Sequence, residues 1–420
     1  MQFGWEMPDP IESVVTQGLC TGCGLCASLF DDSVEMSITL AGRMRPIVKK
    51  PLDDKSTETF QAVCPGLHVT GPDPKIAGPK GVMHSVWGPM RTTYRGWSSN
   101  PEIRFRAAAG GALTAMAIHL LETGKVDAVI HVKASESHPM LSDAHVSRTK
   151  EDVIEGSQSR YGPAAPLVNV KRLLDEGARF AVVAKPCDIA AIRNLQKVDS
   201  RAKEQILYCL TLFCGGIASS HTPEKIAKFH GVEAKDVSVF RFRGNGWPGP
   251  LRVQSKAGKT YDLTYEDSFD NEDYPWDYDV QFRCKICADA IGELADVSCP
   301  DAWIMKDGEP TFDEAPGVNV LVTRTEVGEE LVSDVEAAGD MELSPFAIDE
   351  LDAMHASHLP RKLEFPGRHL GVRLAGAAVT DFRRFRTLRA LWNGGLWHNL
   401  TSMLGTRRRV RNGDNHEPLD

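Results

Sequence analysis

Apolar side chains recur at helical spacing from Ala112 to Leu121 in "IRFRAAAGGALTAMAIHLLETGKVDAVI", Gly124 closes the run, and a short continuous apolar stretch follows. This succession predicts a helix and then a buried strand. In "FAVVAKPCDIAAIRNL" the order is reversed: an apolar run of strand type meets Lys185-Pro186-Cys187-Asp188 and gives way to a helical pattern. "ILYCLTLFCGG" reads as a second buried strand whose last residue before the Gly-Gly turn is Cys214. Two shorter stretches, "SITLAGRMRPIV" around Ala41-Gly42 and "LRVQSKAGKTYDLTY", carry the alternation and turn residues of hairpins. Strands alternating with helical patterns predict an α/β (α+β) chain.

A length of 420 residues exceeds one ordinary core and predicts two or three domains. The Pro-rich stretch "GPDPKIAGPKG" reads as a linker closing an N-terminal segment over residues 1–78. Two α/β units over 79–165 and 166–330 follow, and then a basic, partly helical C-terminal extension over 331–420. The net charge of −9 is opposite to the footprint of a nucleic-acid binder. No uncharged apolar run reaches the roughly 18–20 residues of a membrane span, and "MQFGWEMPDP" lacks a basic region followed by an apolar one. A cytoplasmic protein is therefore expected, in which the 10 cysteines act as metal ligands, redox groups or buried thiols and not as disulfides.

Cys20, Cys23 and Cys26 form C-x2-C-x2-C in "GLCTGCGLC". One short loop then wraps three corners of a cubane cluster, whereas zinc sites come as two separated C-x2-C pairs. The spacing predicts a ferredoxin-like 4Fe-4S segment. Its fourth ligand must be another thiolate, and the next cysteine, Cys64, is followed by Pro65. The competing reading of Cys64 is a buried thiol at a turn.

Cys187 falls between a strand end and a helix start, where ligand chemistry sits in open α/β sheets and where a helix dipole favours thiolate. Cys214 ends the next strand, and Cys284 and Cys287 form a C-x2-C pair in "CKICADAIGELADVSCPDAW". Together these four compose a second four-sulfur set, with zinc as the rival. Cys209 reads as a core residue. "GNGWPG" matches G-x-G-x-x-G but is followed by a hairpin pattern and interrupted by prolines, which makes it a Trp-bearing turn and not a dinucleotide loop. Gly110-Gly111 opens a helix and suits either a phosphate or close packing. His119 within that helix reads as an ordinary packed side chain.

Taken in order, "CTGCGLC", "NPEIRFRAAAGGALTAMAIHLLETGKVDAVI", "GSQSRY", "VVAKPCDIAAIRNL", "LFCGG", "FRFRGNGWPG" and "CKICADAIGELADVS" resemble the beta subunits of coenzyme F-420 (deazaflavin) hydrogenases and dehydrogenases. Relatives of that family include 7-hydroxymethyl chlorophyll a reductase and a ferredoxin-dependent divinyl chlorophyllide reductase. The resemblance implies FAD held near the glycine-pair helix, with Arg104, Gly110, Gly111, Ser159, Tyr161 and Lys185 as cofactor-site residues. It also implies Cys187, Cys214, Cys284 and Cys287 as ligands of a flavin-proximal 4Fe-4S cluster, giving two clusters in all. Three departures stand out: Ala109 replaces the family's serine, Cys299 competes as a ligand, and the N-terminal segment lacks a second cysteine group.

Clusters pass single electrons while a flavin stores two. The resulting expectation is an iron-sulfur flavoprotein reductase, taking electrons from ferredoxin or a similar redox protein and reducing a small organic substrate. The alternative is an electron-transfer beta subunit of a deazaflavin- or NAD(P)-linked hydrogenase or formate dehydrogenase complex. The arginine-rich stretch "DFRRFRTLRALWNGGLWHNLTSMLGTRRRVR" suggests either docking on an acidic partner or membrane surface, or a cover for the chain's own body.

Overall fold

The structure is a computed structural model that describes residues 9–73, 75–269, 271–276 and 279–419. The first eight residues, on which the reading of the N-terminus rests, lie outside the described residues. The centre is a mixed α/β arrangement built on one eight-stranded sheet. Its strands in chain order are β1 (Thr93–Ser98), β2 (Ala128–Ala134), β3 (Ser142–Ser147), β4 (Phe180–Val183), β5 (Ile206–Thr211), β6 (Val297–Ser298), β7 (Asn319–Thr323) and β8 (Met341–Pro345).

Across the sheet the order is β8-β1-β7-β6-β5-β4-β2-β3. The four central strands β2, β4, β5 and β6 run parallel, and antiparallel strands flank them on both sides. Parallel strands covered on both faces need continuous apolar sequence. Ala128-Val129-Ile130 and Phe180-Ala181-Val182 supply it and are fully buried.

Helix α1 (Ala112–Glu122) fills one face of the sheet, and helix α2 (Pro186–Val198) fills the other. Both follow the helical periodicity of the sequence. His119 is a packed side chain whose Nδ1 lies 3.1 Å from Asp340 Oδ2. One expected detail differs: the strand ends at Thr211, and Cys214 lies in the turn beyond, where its N–H donates to Ala290 O at 2.8 Å. Thr211 is the last paired residue, and its Oγ1 donates to Ala184 O at 2.6 Å.

Smaller sheets surround this body. The expected hairpin pairs Val34–Ile38 with Met44–Val48, turning at Gly42 with φ 68°. Leu251–Ser255 pairs with Thr260–Leu263, so the stretch after "GNGWPG" is a hairpin and no dinucleotide helix follows it. The C-terminal extension folds onto the body: Asp381–Arg383 runs parallel to His68–Thr70 of the N-terminal segment. Helix α3 (Leu359–Leu374) is followed by helices α4 (Thr387–Gly394) and α5 (Leu396–Arg411), separated at Gly395 with φ 73°. Helices α3 and α5 touch through glycine, since a Cβ on Gly371 would lie 2.4 Å from Met403 O.

Candidate functional site

Cys20, Cys23, Cys26 and Cys64 line one cavity with about 410 Å³ of empty space, walled by apolar side chains that include Ile11, Val14, Leu25 and Phe60. The loop winds around it because Gly22 and Gly24 adopt positive φ, at 71° and 83°. This winding turns backbone N–H groups toward sulfur. Gly22 N donates to Cys20 Sγ at 3.4 Å, Leu25 N–H serves Cys23, Ala27 N–H serves Cys26, and Gly66 and Leu67 N–H groups serve Cys64. Cys64 arrives from elsewhere: it caps the C-terminus of the helix Asp54–Val63.

Burial pushes all four thiols above the ordinary cysteine range, Cys64 to about 12. Arg45 works against burial at Cys20, and Arg283 does so at Cys64. Without a positive centre the thiols therefore stay protonated, and binding a cation there releases protons.

Cys187, Cys214, Cys284 and Cys287 line a second cavity with about 370 Å³ of empty space. Thr21, between the first two cysteines of the opening motif, lines both cavities. The two thiol sets thus share a wall. Arg283 stands between them: it lowers the pKa of Cys64 and of Cys287, and its Nη2 donates to Pro65 O at 3.4 Å. Burial raises Cys214 to about 12 and also raises Cys187, against the pull of Lys185. Arg361 closes the outer side by donating to the carbonyls of Cys214 and Gly215. Cys209 and Cys299 line neither of these two cavities; both are buried in the core.

The six expected cofactor-site residues fall into three places. Arg104 Nε donates to Gly317 O at 2.7 Å while its guanidinium lies over Trp97. Gly110 is crowded by Gly96 O and by Asn319, whose Oδ1 accepts from Ala112 N at 3.2 Å, and Gly111 caps the helix with φ 76°. Gly110 is thus closely packed against β1 and β7. Ser159 and Tyr161 gather around Arg243: Ser159 forms an isolated bridge with it, and Tyr161 Oη accepts from Arg243 Nη1 at 3.2 Å. Lys185 lies instead beside Cys187, ion-paired at 2.6 Å with buried Asp188. Burial would lower the Lys185 pKa, but Asp188 and Cys187 overcome it and raise it.

Sequence reasoning missed Arg243. Its Nη2 donates to Ala108 O at 2.7 Å and its guanidinium pairs with Asp301, which also accepts from Trp247 Nε1 at 2.8 Å. It ties the glycine-pair segment to the tyrosine loop. The signal lay in "FRFRGNGWPG", where the arginine directly precedes the turn that holds Trp247.

The model for the N-terminal part of the coenzyme F420 hydrogenase/dehydrogenase beta subunits matches residues 93–172, and the model for their C-terminal part matches residues 177–348. The chain belongs to this family. Its relatives include the F420-dependent formate dehydrogenase 1 subunit beta of Methanococcus maripaludis, 28% identical over 58% of this chain and 58% of that protein. The coenzyme F420-dependent sulfite reductase of Methanocaldococcus jannaschii is 26% identical over 61% of this chain and 38% of its own length. The chain thus spans well under two thirds of these two relatives. The coenzyme F420 hydrogenase subunit beta of Methanococcus voltae is 26% identical over 61% of this chain and 85% of its own. A chain of the F420-reducing NiFe hydrogenase complex from Methanosarcina barkeri shares the fold, with a TM-score of 0.53 and 21% identity over 74% of this chain and 98% of that one.

These matches correct two expectations. The reading as a ferredoxin-fed reductase of a small organic substrate gives way, because the relatives are named as F420-dependent hydrogenase, formate dehydrogenase and sulfite reductase proteins. The cofactor set of FAD with two 4Fe-4S clusters gives way as well. The relatives' names carry coenzyme F420, and among the described residues no three His, Cys, Asp or Glu side chains converge to hold a metal ion. Physically, the expected FAD residues hold different partners: Lys185 is ion-paired with Asp188 beside Cys187, whereas Ser159 and Tyr161 contact Arg243. Among the described residues no helix is long and apolar enough to cross a membrane.

Proposed function

We propose that this chain is the beta subunit of a multi-subunit, F420-linked oxidoreductase, in which it carries electrons between the deazaflavin and partner subunits. The observation that carries this reading is the shared wall at Thr21: two four-cysteine cavities stand side by side within a chain of this family. A stand-alone reductase needs one site next to its substrate, whereas adjoining sites suit relay.

At residue level, the eight cysteines Cys20, Cys23, Cys26, Cys64, Cys187, Cys214, Cys284 and Cys287 are the proposed thiolate ligands for metal. Backbone N–H groups aimed at sulfur, with Arg45 and Arg283 nearby, suit bound thiolates. A metal centre held there would supply one-electron steps. Arg104, Gly110, Gly111, Ser159 and Tyr161 are the proposed cofactor-facing residues, and Arg243 links the Ala108 carbonyl near the glycine pair to the tyrosine loop. Lys185 holds positive charge beside Cys187 through Asp188.

Equilibrium binding of coenzyme F420 and of NADPH to the full chain, each followed by absorbance, tests the reading. Saturable F420 binding that weakens in Arg104→Ala supports it. Binding of NADPH in place of F420, or full turnover of a substrate without any partner subunit, overturns it.

A further inference from the structure

We propose that helices α4 and α5 form a docking surface for an anionic lipid membrane, on which the chain lies peripherally. Leu388 and Trp392 on α4, and Leu396, Leu400 and Leu404 on α5, recur every four residues, which puts each set on one face of its own helix, with Trp397 next to Leu396. Leu388, Trp392, Leu396 and Trp397 are each at least 71% exposed, and Leu400 and Leu404 are 41% and 51% exposed.

The polarity of α5 is inverted relative to a helix that covers its own protein. Its buried residues are two polar ones, Asn399 and Thr406, and one apolar one, Val410, while its leucines and Trp397 are exposed. The inward hydrogen bonds run through Asn399: its Oδ1 accepts from Gly367 N at 3.0 Å, and its Nδ2 donates to Leu363 O at 3.2 Å. Leucines and tryptophans as exposed as these contribute little to the packing of the extension on the body.

Charge selects the occupant. No acidic residue occurs between Asp381 and Asp414, while Arg389, Arg408, Arg409 and Arg411 are exposed on the same two helices. The chain as a whole is acidic at −9, so this cationic end meets an anionic surface while the remainder is repelled from it. Exposed tryptophan and leucine on α4 and at the start of α5, with exposed arginines on the same two helices, suit a segment lying in a headgroup layer. The core of a protein interface is instead depleted of charge, and the matched family segments end at residue 348, before these helices begin.

Flotation of the full chain with phosphatidylcholine vesicles, with and without phosphatidylglycerol, is the test. The wild type should float with the anionic vesicles only and be released by high salt. Trp392→Ser/Trp397→Ser should lower partitioning about tenfold, and Arg408→Gln/Arg409→Gln should remove the preference for anionic lipid. All four positions are exposed or peripheral, and unchanged circular dichroism verifies the fold. A wild type that stays unbound to both vesicle types overturns the proposal, as does a tryptophan variant that floats like the wild type. So does a wild type that ignores vesicles but self-associates or captures an acidic partner protein through this surface.

Discussion

Arg45 grips Glu417 from the far end of the chain: Nε donates to Oε1 at 2.7 Å and Nη2 donates to Oε2 at 2.8 Å. Arg45 is buried and lies close enough to Cys20 to lower its pKa against burial. The tail thereby latches the wall of the first cysteine cavity, with Glu417 N also donating to Thr16 O. Removing one partner of a buried pair leaves an uncompensated charge and costs about 3–5 kcal/mol. Glu417→Ala is expected to lose stability of that order in urea unfolding. Arg45→Ala/Glu417→Ala should cost less than the two single changes together, because the coupling is lost once.

A second buried ion cluster sets acid stability. Glu293 is held by Lys362 and by Arg386, whose Nη1 and Nη2 donate at 2.7 and 2.8 Å. Burial would raise the Glu293 pKa, but the two cations overcome it and bring it down to about 2. A carboxyl depressed in the folded state stabilises fully above its unfolded pKa of about 4.3, and that contribution is lost as pH falls toward 2. The loss should be on the order of 3 kcal/mol, read by urea titrations at successive pH values. Glu293→Gln should be less stable at neutral pH and show a flatter acid limb.

Local periodicity carried what the sequence made legible. Helices α1 and α2 and strands β2, β4 and β5 follow it because each is dictated by neighbours a few residues apart. The grouping of Cys64 with Cys20, Cys23 and Cys26 around one cavity was also within reach, since Cys64 is the next cysteine in the chain and Pro65 marks a turn. Arg45–Glu417 and Arg243–Asp301 were not, because their partners lie far off in sequence and no period encodes a tertiary ion pair. The glycine pair stayed ambiguous for the same reason: Asn319, which crowds Gly110 and accepts from Ala112 N, belongs to β7. The functional reading went to a self-sufficient reductase because the cysteine motif resembles an electron input port. Sequence kinship with subunits of F420-linked enzymes redirected it.

Gly371 offers a test of how the extension is held. A Cβ there would lie 2.4 Å from Met403 O and 3.1 Å from Arg407 N, both backbone atoms of α5. Backbone cannot swing aside as a side chain does, so Gly371→Ala must push the helices apart. Overpacking of this kind costs about 1–3 kcal/mol. Limited proteolysis should cut the variant in residues 387–411 faster than the wild type, while Gly405→Ala, whose Cβ would meet only the Arg409 side chain at 3.8 Å, should not speed that cleavage.

Cys64 separates the two accounts of the opening motif. If it belongs with Cys20, Cys23 and Cys26, the first cavity needs all four sulfurs, and one lost thiolate should empty it. Cys64→Ser is then expected to remove roughly half of the protein-bound metal, because the second set keeps its own four cysteines. Cys299→Ser is the control: it lies outside both cavities in the sheet core, so metal content should hold while stability falls by about 1–3 kcal/mol from a buried hydroxyl. Metal analysis of anaerobically purified protein, with thermal unfolding alongside, checks both. Equal metal content in Cys64→Ser and wild type would mean that this cysteine is only a turn residue at the end of its helix.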